Sequence, residues 1–110
     1  AKTHKSAEIA RRQIAAGAVG VCCAKLGEAE ALAANGVGDI LITSPVVPAQ
    51  AVRRLAALAG RTRSLAVVVD HPDNLDHIAA AGAALDVLVD VDTGSHRTGV
   101  TSPVAAVALA

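Results

Sequence analysis

The stretch LAVVVDHPDNLDHIAAAG, residues 65–82, decides the fold. Its first five residues are all apolar and mostly β-branched. A strand with one wet face alternates apolar and polar residues, whereas an unbroken run is what a strand of a covered parallel sheet needs. Asp70-His71-Pro72-Asp73 then breaks the run with polar groups and a proline. From Asp73 to Ala81 the pattern is helical, and Gly82 stops it. Strand, polar turn and helix follow one another within this single stretch.

Outward from it, the same unit repeats in both directions. Ala18–Ala24, Asp39–Thr43 and Asp86–Val91 are further apolar runs and read as strands. Leu26–Ala34 reads as a helix closed by Asn35-Gly36, and Ala49–Ala59 as a helix after a turn holding Pro45 and Pro48. At the front, Ser6 is placed to cap a helix with Glu8 in its first turn. On a 3.6-residue period Ile9, Ala10, Ile14 and Gly17 share one side of that helix, and Glu8, Arg11 and Arg12 the other. Gly17 is placed to end it. At the far end Ser102-Pro103 opens another helix as cap and first residue. Strands begin near positions 18, 39, 65 and 86, in steps of 21, 26 and 21 residues. Each step holds a strand, a loop, a helix and a loop, which defines an α/β protein with parallel strands. Pattern alone leaves two architectures open: a doubly wound sheet, or an arc of a (β/α)8 barrel, of which four strands are half.

Composition narrows the function classes. The chain is 53% apolar but has no aromatic residue and no Met, so its core is built from Ala, Val, Leu and Ile. Ten basic and ten acidic residues give no formal net charge, which argues against nucleic acid or an anionic membrane as partner. No apolar run reaches the ~18 residues that a spanning helix needs. The first residues are charged and polar, unlike a signal peptide. Cys22 and Cys23 are adjacent and read as buried thiols of a reducing compartment, so a cytoplasmic address is expected. Val104–Ala110 reads as an apolar helix still in progress. Residues 1–110 are therefore expected to be a fragment of one α/β domain.

Ligands of α/β proteins bind where strands end and helices begin. Those turns carry Lys2-Thr3-His4-Lys5, Lys25, Thr43 and Ser44, Asp70 and His71, and the loop from Asp90 to Gly99. A lysine at a strand end can form a Schiff base when it is shielded, though most lysines are solvated surface charges. The 90–99 loop combines Asp90, Asp92 and Arg97 with Gly94 and Gly99, which suits a polar ring or an anion; the competing reading is an ordinary turn with Arg97 in a surface pair. His71 is a candidate ligand or base, while Asp70-x-x-Asp73 more simply caps the next helix. His4, His71, His77 and His96 show no metal-ligand spacing with the cysteines. No glycine-rich phosphate fingerprint is present.

Three segments in register carry a family resemblance. Ala1-Lys2-Thr3-His4-Lys5-Ser6, followed by Glu8-Ile9-Ala10, resembles the cofactor-lysine segment of the D-threonine aldolase and D-serine dehydratase family. Gly20-Val21-Cys22-Cys23-Ala24-Lys25-Leu26-Gly27-Glu28-Ala29-Glu30 is similar to its next strand and helix. Asp86–Asp92 with Gly94, Arg97 and Gly99 is similar to its mid-barrel loop. The resemblance spans nearly the whole chain. It implies a barrel of the alanine racemase N-terminal domain type and a pyridoxal-phosphate enzyme acting on D-amino acids with a β-hydroxyl.

By that resemblance Lys2 is the lysine bonded to pyridoxal 5'-phosphate and the catalytic residue, and Arg97 approaches the 3-hydroxyl side of its ring. A divalent metal, Zn or Mn, is implied for the intact enzyme, with ligands on a C-terminal β-domain outside these residues. A homodimer is implied as well. His4 is left without a role. Alanine racemases proper carry a run rich in Asn, Tyr and Gly after the lysine. Thr3-His4-Lys5 favours the aldolase and dehydratase branch instead. Ser44-Pro45 departs from the Asn-Glu of many members and blurs the two sub-branches. The alternatives are a racemase of the same fold, a non-catalytic barrel that carries the vitamer, and a barrel or open sheet with no cofactor.

Overall fold

The computed structural model describes all residues, 1–110. In chain order the elements are α1 (Ala7–Ala15), β1 (Val21–Cys23), α2 (Leu26–Ala34), β2 (Asp39–Ile42), α3 (Ala49–Ala59), β3 (Ser64–Val69), α4 (Pro72–Ala80), β4 (Asp86–Val89) and α5 (Pro103–Leu109). The two predicted helices in the middle of the chain have the predicted bounds. β1, β2 and β4 are shorter than their apolar runs, while β3 is one residue longer than its run. Val21 is the first paired residue of β1, because Ala18–Gly20 lead into the sheet instead of joining it. Gly20 passes so close to β2 that a Cβ there would lie 2.8 Å from the Asp39 carbonyl oxygen. Past Val89, Val91 makes one parallel bridge to Val100.

The four strands form one sheet in the order β1-β2-β3-β4, every pair parallel. This order resolves the architecture that periodicity left open. A doubly wound sheet reverses its direction of growth and puts helices on both faces. Here each strand is added on the same side, and right-handed crossovers then send α2, α3 and α4 to one face. Burial agrees with that arrangement. Paired residues share a face, and the rows Val21-Ile40-Leu65 and Cys23-Ile42-Val67 are all buried. They pack under Leu26, Leu32, Val52, Leu55, Leu58 and Ile78. The sheet is thus an arc of a (β/α) barrel with its helices outside.

Within these residues the sheet is covered on one face, and the other is open, as a half barrel leaves its interior. The row Cys22-Leu41-Ala66-Asp86 lies on the other face, where Cys22 is exposed and Leu41 and Ala66 are only half-buried. Leu88 on the same face is 43% exposed. The runs are apolar on both faces because a closed barrel turns this face inward.

Helix ends follow their caps. The Ser6 and Ser102 hydroxyls accept from the Ile9 and Ala105 amides at 3.3 and 3.1 Å. Before α4 the cap is His71, whose Nδ1 accepts from the Asp73 amide at 3.2 Å; neither aspartate of Asp70-x-x-Asp73 does so. On α1, Ala10 is the buried residue and Ile9 is 43% exposed, so the helix seats itself by its small residue. The two cysteines alternate across β1. Cys23 is buried, Cys22 is exposed, and both are free, which corrects the reading of two buried thiols.

Candidate active site

The turns at the carboxyl end of the sheet gather into two organised groups, one at each edge. The first surrounds Lys2. The Ala1 nitrogen lies 2.7 Å from the Cys22 carbonyl, which sets the start of the chain against the free edge of β1. The Lys5 amide returns to the Ala1 carbonyl at 2.9 Å and closes a turn over Lys2, Thr3 and His4. Lys5 has φ +49°, a left-handed conformation that costs a residue with a Cβ ~1–3 kcal/mol unless its surroundings hold it.

What holds it is Glu28, in the first turn of α2. One carboxylate oxygen takes the Lys5 ammonium at 2.7 Å, and the other accepts from the amides of Ala24 and Lys25 at 2.8 and 3.3 Å. The Lys5 hydrogen bond, and after it the Ala24 amide, hold the Glu28 carboxyl down to about 2. Nearby, the Ser6 amide donates to His4 Nδ1 at 3.1 Å, so a neutral imidazole carries its proton on Nε2. That Nε2 is buried without a partner. Lys2 itself is exposed, and its amine makes no hydrogen bond or ion pair.

The second group shapes the loop after β4. Asp92, its side chain 5% exposed, accepts from the amides of Gly94 and His96 at 2.9 and 3.0 Å and pairs with His96 Nδ1 at 2.9 Å. The Gly94 amide, ahead of that of His96, lowers the Asp92 carboxyl from its ordinary range. Asp70, at the end of β3, accepts from the Gly99 amide at 3.0 Å. Gly99 has φ +103° and rests on the backbone of Asp92, where a Cβ would lie 2.4 Å from the Asp92 nitrogen. Arg97 stands on this loop, exposed and outside every ion pair, so the surface-pair reading does not hold for it.

Between the two groups, the Thr43 amide and hydroxyl both donate to the Cys23 carbonyl, at 2.9 and 3.1 Å. Ser44 and Lys25 line a cleft of 260 Å³ over the ends of β1 and β2. Burial drives the Cys23 thiol up to about 11, which keeps it protonated. Lys2 and Arg97 belong to opposite edges of the four-stranded row and are not brought together within it. No three His, Cys, Asp or Glu side chains converge as metal ligands would. No helix is long and apolar enough to cross a membrane.

Sequence reasoning quoted Glu28 without giving it a role, and it treated Asp70 and Asp92 as ligands or caps. The signal for Asp92 was present, since Asp-x-Gly commonly folds its carboxylate back onto following amides. For Glu28 no local signal reveals that its partner is Lys5, 23 residues earlier.

This barrel arc, with its unpaired lysine in a turn at the carboxyl end of the sheet and its organised arginine loop, is of the class of α/β barrel domains. The chain belongs to the family "Alanine racemase, N-terminal domain", whose model matches residues 1–110. It is similar to a D-threonine aldolase from Arthrobacter sp, 44% identical over all of this chain and 30% of that protein. It is 38% identical to a D-threo-3-hydroxyaspartate dehydratase from Delftia sp. (strain HT23), over 90% of this chain and 27% of that protein. The crystal structure of D-threonine aldolase from Filomicrobium marinum superposes with a TM-score of 0.93 at 42% identity, covering 98% of this chain and 30% of that one. The chain therefore spans about 30% of the length of its relatives.

Proposed function

We propose that this chain is the lysine-bearing part of the barrel of a pyridoxal-phosphate-dependent lyase that acts on D-amino acids with a β-hydroxyl, by retro-aldol cleavage. The observation that carries the reading is Lys2: an unpaired amine in a structured turn at the ligand-binding end of the sheet, one strand position before β1. If that position is counted as the first strand, β4 is the fifth. First and fifth strands of an eight-stranded barrel face each other across its mouth. Lys2 and Arg97 then converge from opposite walls, which is why they lie far apart along the open arc.

The residues fit the cofactor. Lys2 would hold it by condensing with its aldehyde, with loss of water. Arg97, with no competing carboxylate, would donate to the ring oxygen. When bound, the group supplies an electron sink for negative charge at the substrate Cα. In the cleavage the Cα–Cβ bond breaks, the β-hydroxyl gives up its proton and Cα receives one. Lys2 is the group of this chain suited to deliver that proton. The residues present do not form a metal site, and we place the ligands of the implied divalent metal, Zn or Mn, in a further β-domain. The free Cys22 and Cys23 thiols suit a reducing, cytoplasmic compartment.

The test uses the full-length protein that contains these residues. Added pyridoxal phosphate should give the absorption band of a lysine-linked cofactor, absent in Lys2→Ala. D-Threonine should then yield glycine and acetaldehyde. Ammonia with a 2-oxo acid would move the assignment to the dehydratase sub-branch, and appearance of the L-enantiomer to a racemase. The same band in Lys2→Ala and in the parent would overturn the assignment of Lys2.

A further inference from the structure

We propose that Glu28 is a positioning residue for Lys2, tying the lysine-bearing turn to the end of β1. The inference rests on the reading of Lys2 given above. Three observations carry it. The Glu28 side chain is only 18% exposed and divides its two oxygens between two elements, the amides of Ala24 and Lys25 and the ammonium of Lys5. Lys5 is one of only two non-glycine residues in the chain with positive φ, and the Lys5 amide closes the turn back to Ala1. Lys2 is inside that turn, and its own amine makes no hydrogen bond or ion pair.

The chemistry follows from this division of labour. Lys2 must leave its amine free to condense, so nothing can hold it by the head. The backbone beneath it has to be fixed instead, and Lys5 supplies the handle. Without the carboxylate, Lys5 loses its side-chain tie to the end of β1 and only the backbone contacts of Ala1 remain, so the turn can relax to an ordinary φ, which swings Lys2 away from the sheet edge. The Glu28 carboxyl, held down to about 2, keeps the tie charged at neutral and mildly acidic pH.

The experiment measures the share of Lys2 labelled when the full-length protein is mixed with pyridoxal phosphate, reduced with borohydride and mapped by mass spectrometry, beside its thermal midpoint. Glu28→Gln keeps an oxygen for the amides of Ala24 and Lys25 but loses the ion pair. We expect its affinity for cofactor at Lys2, read well below both thermal midpoints, to fall roughly three- to tenfold, beyond what the lower midpoint of the variant accounts for. Lys5→Ala should fall equally, the double variant no further, and Lys5→Arg should recover the parent value. If Glu28→Gln does not fold, the Lys5 pair of variants carries the same expectation. A parent that labels Lys2 alongside Glu28→Gln and Lys5→Ala variants that label it equally well overturns the positioning role alone. A parent that leaves Lys2 unlabelled overturns the reading of Lys2 and this inference with it.

Discussion

Lys5, Glu28, Asp92 and Gly99 show how single residues set the two turns without touching each other's group. Glu28 also gives a pH dependence with a defined sign. Its carboxyl lies at about 2 in the folded chain, against 4.5 when unperturbed. Its contribution to stability is therefore fully present above the unfolded value and is lost as pH falls from there toward 2. Acid titration should show the parent losing stability across that window more steeply than Glu28→Gln, which has no proton to take up. Chemical denaturation at several pH values reads this directly. Gly99 makes the opposite kind of prediction, a steric one. Gly99→Ala puts a Cβ into the backbone of Asp92 at a φ that alanine avoids, and should cost about 2 kcal/mol or more. Denaturant midpoints measure the loss, and cofactor affinity should fall with it as the Arg97 loop shifts.

At the scale of elements, the helices are held more by what they bury than by their surface pairs. Arg54 on α3 reaches Glu30 on α2, and Arg63 reaches Asp39 at the start of β2. Both arginines are largely exposed, and such pairs contribute little, about 0–1 kcal/mol. Leu55 of α3 is fully buried among the sheet residues. Leu55→Ala should therefore cost about 2–5 kcal/mol, measured by urea unfolding, while Arg54→Ala stays near the parent. Helix starts were legible where they are announced locally, by Ser6 and by Ser102-Pro103, whereas α4 runs from Pro72 to Ala80 and not from Asp73 to Ala81. The cap before α4 was not legible. Pro72 takes the first helical position, which puts the cap on His71, while Asp70 accepts from the Gly99 amide, 29 residues away.

For the whole molecule, the four strands leave two open edges and one apolar face. The free edge of β4 and the exposed Leu88 are surfaces that a closed barrel hides. The 110-residue chain alone should therefore self-associate and unfold over a broad, concentration-dependent range. Sedimentation velocity across a tenfold dilution series checks this. A monomer with one sharp transition would mean that the arc closes its own face.

Residues 65–82 and their repeats determined the parallel α/β class by themselves, because strand, turn and helix are each written in neighbouring residues. The 90–99 segment stands out for the same reason, as polar groups interrupting apolar runs, whereas Lys2 is singled out by the family resemblance alone. Periodicity left arc against doubly wound sheet open, since the side on which a strand is added leaves no trace in its own pattern; the resemblance implied the barrel, and the strand order of the tertiary structure decided it. Only the tertiary structure decided the pairing of Glu28 with Lys5, the seating of Asp70 on Gly99 and the separation of Cys22 from Cys23. Each joins or parts groups by their position across the sheet, and contacts between residues more than twenty apart in the chain exist only once the strands have been set in order.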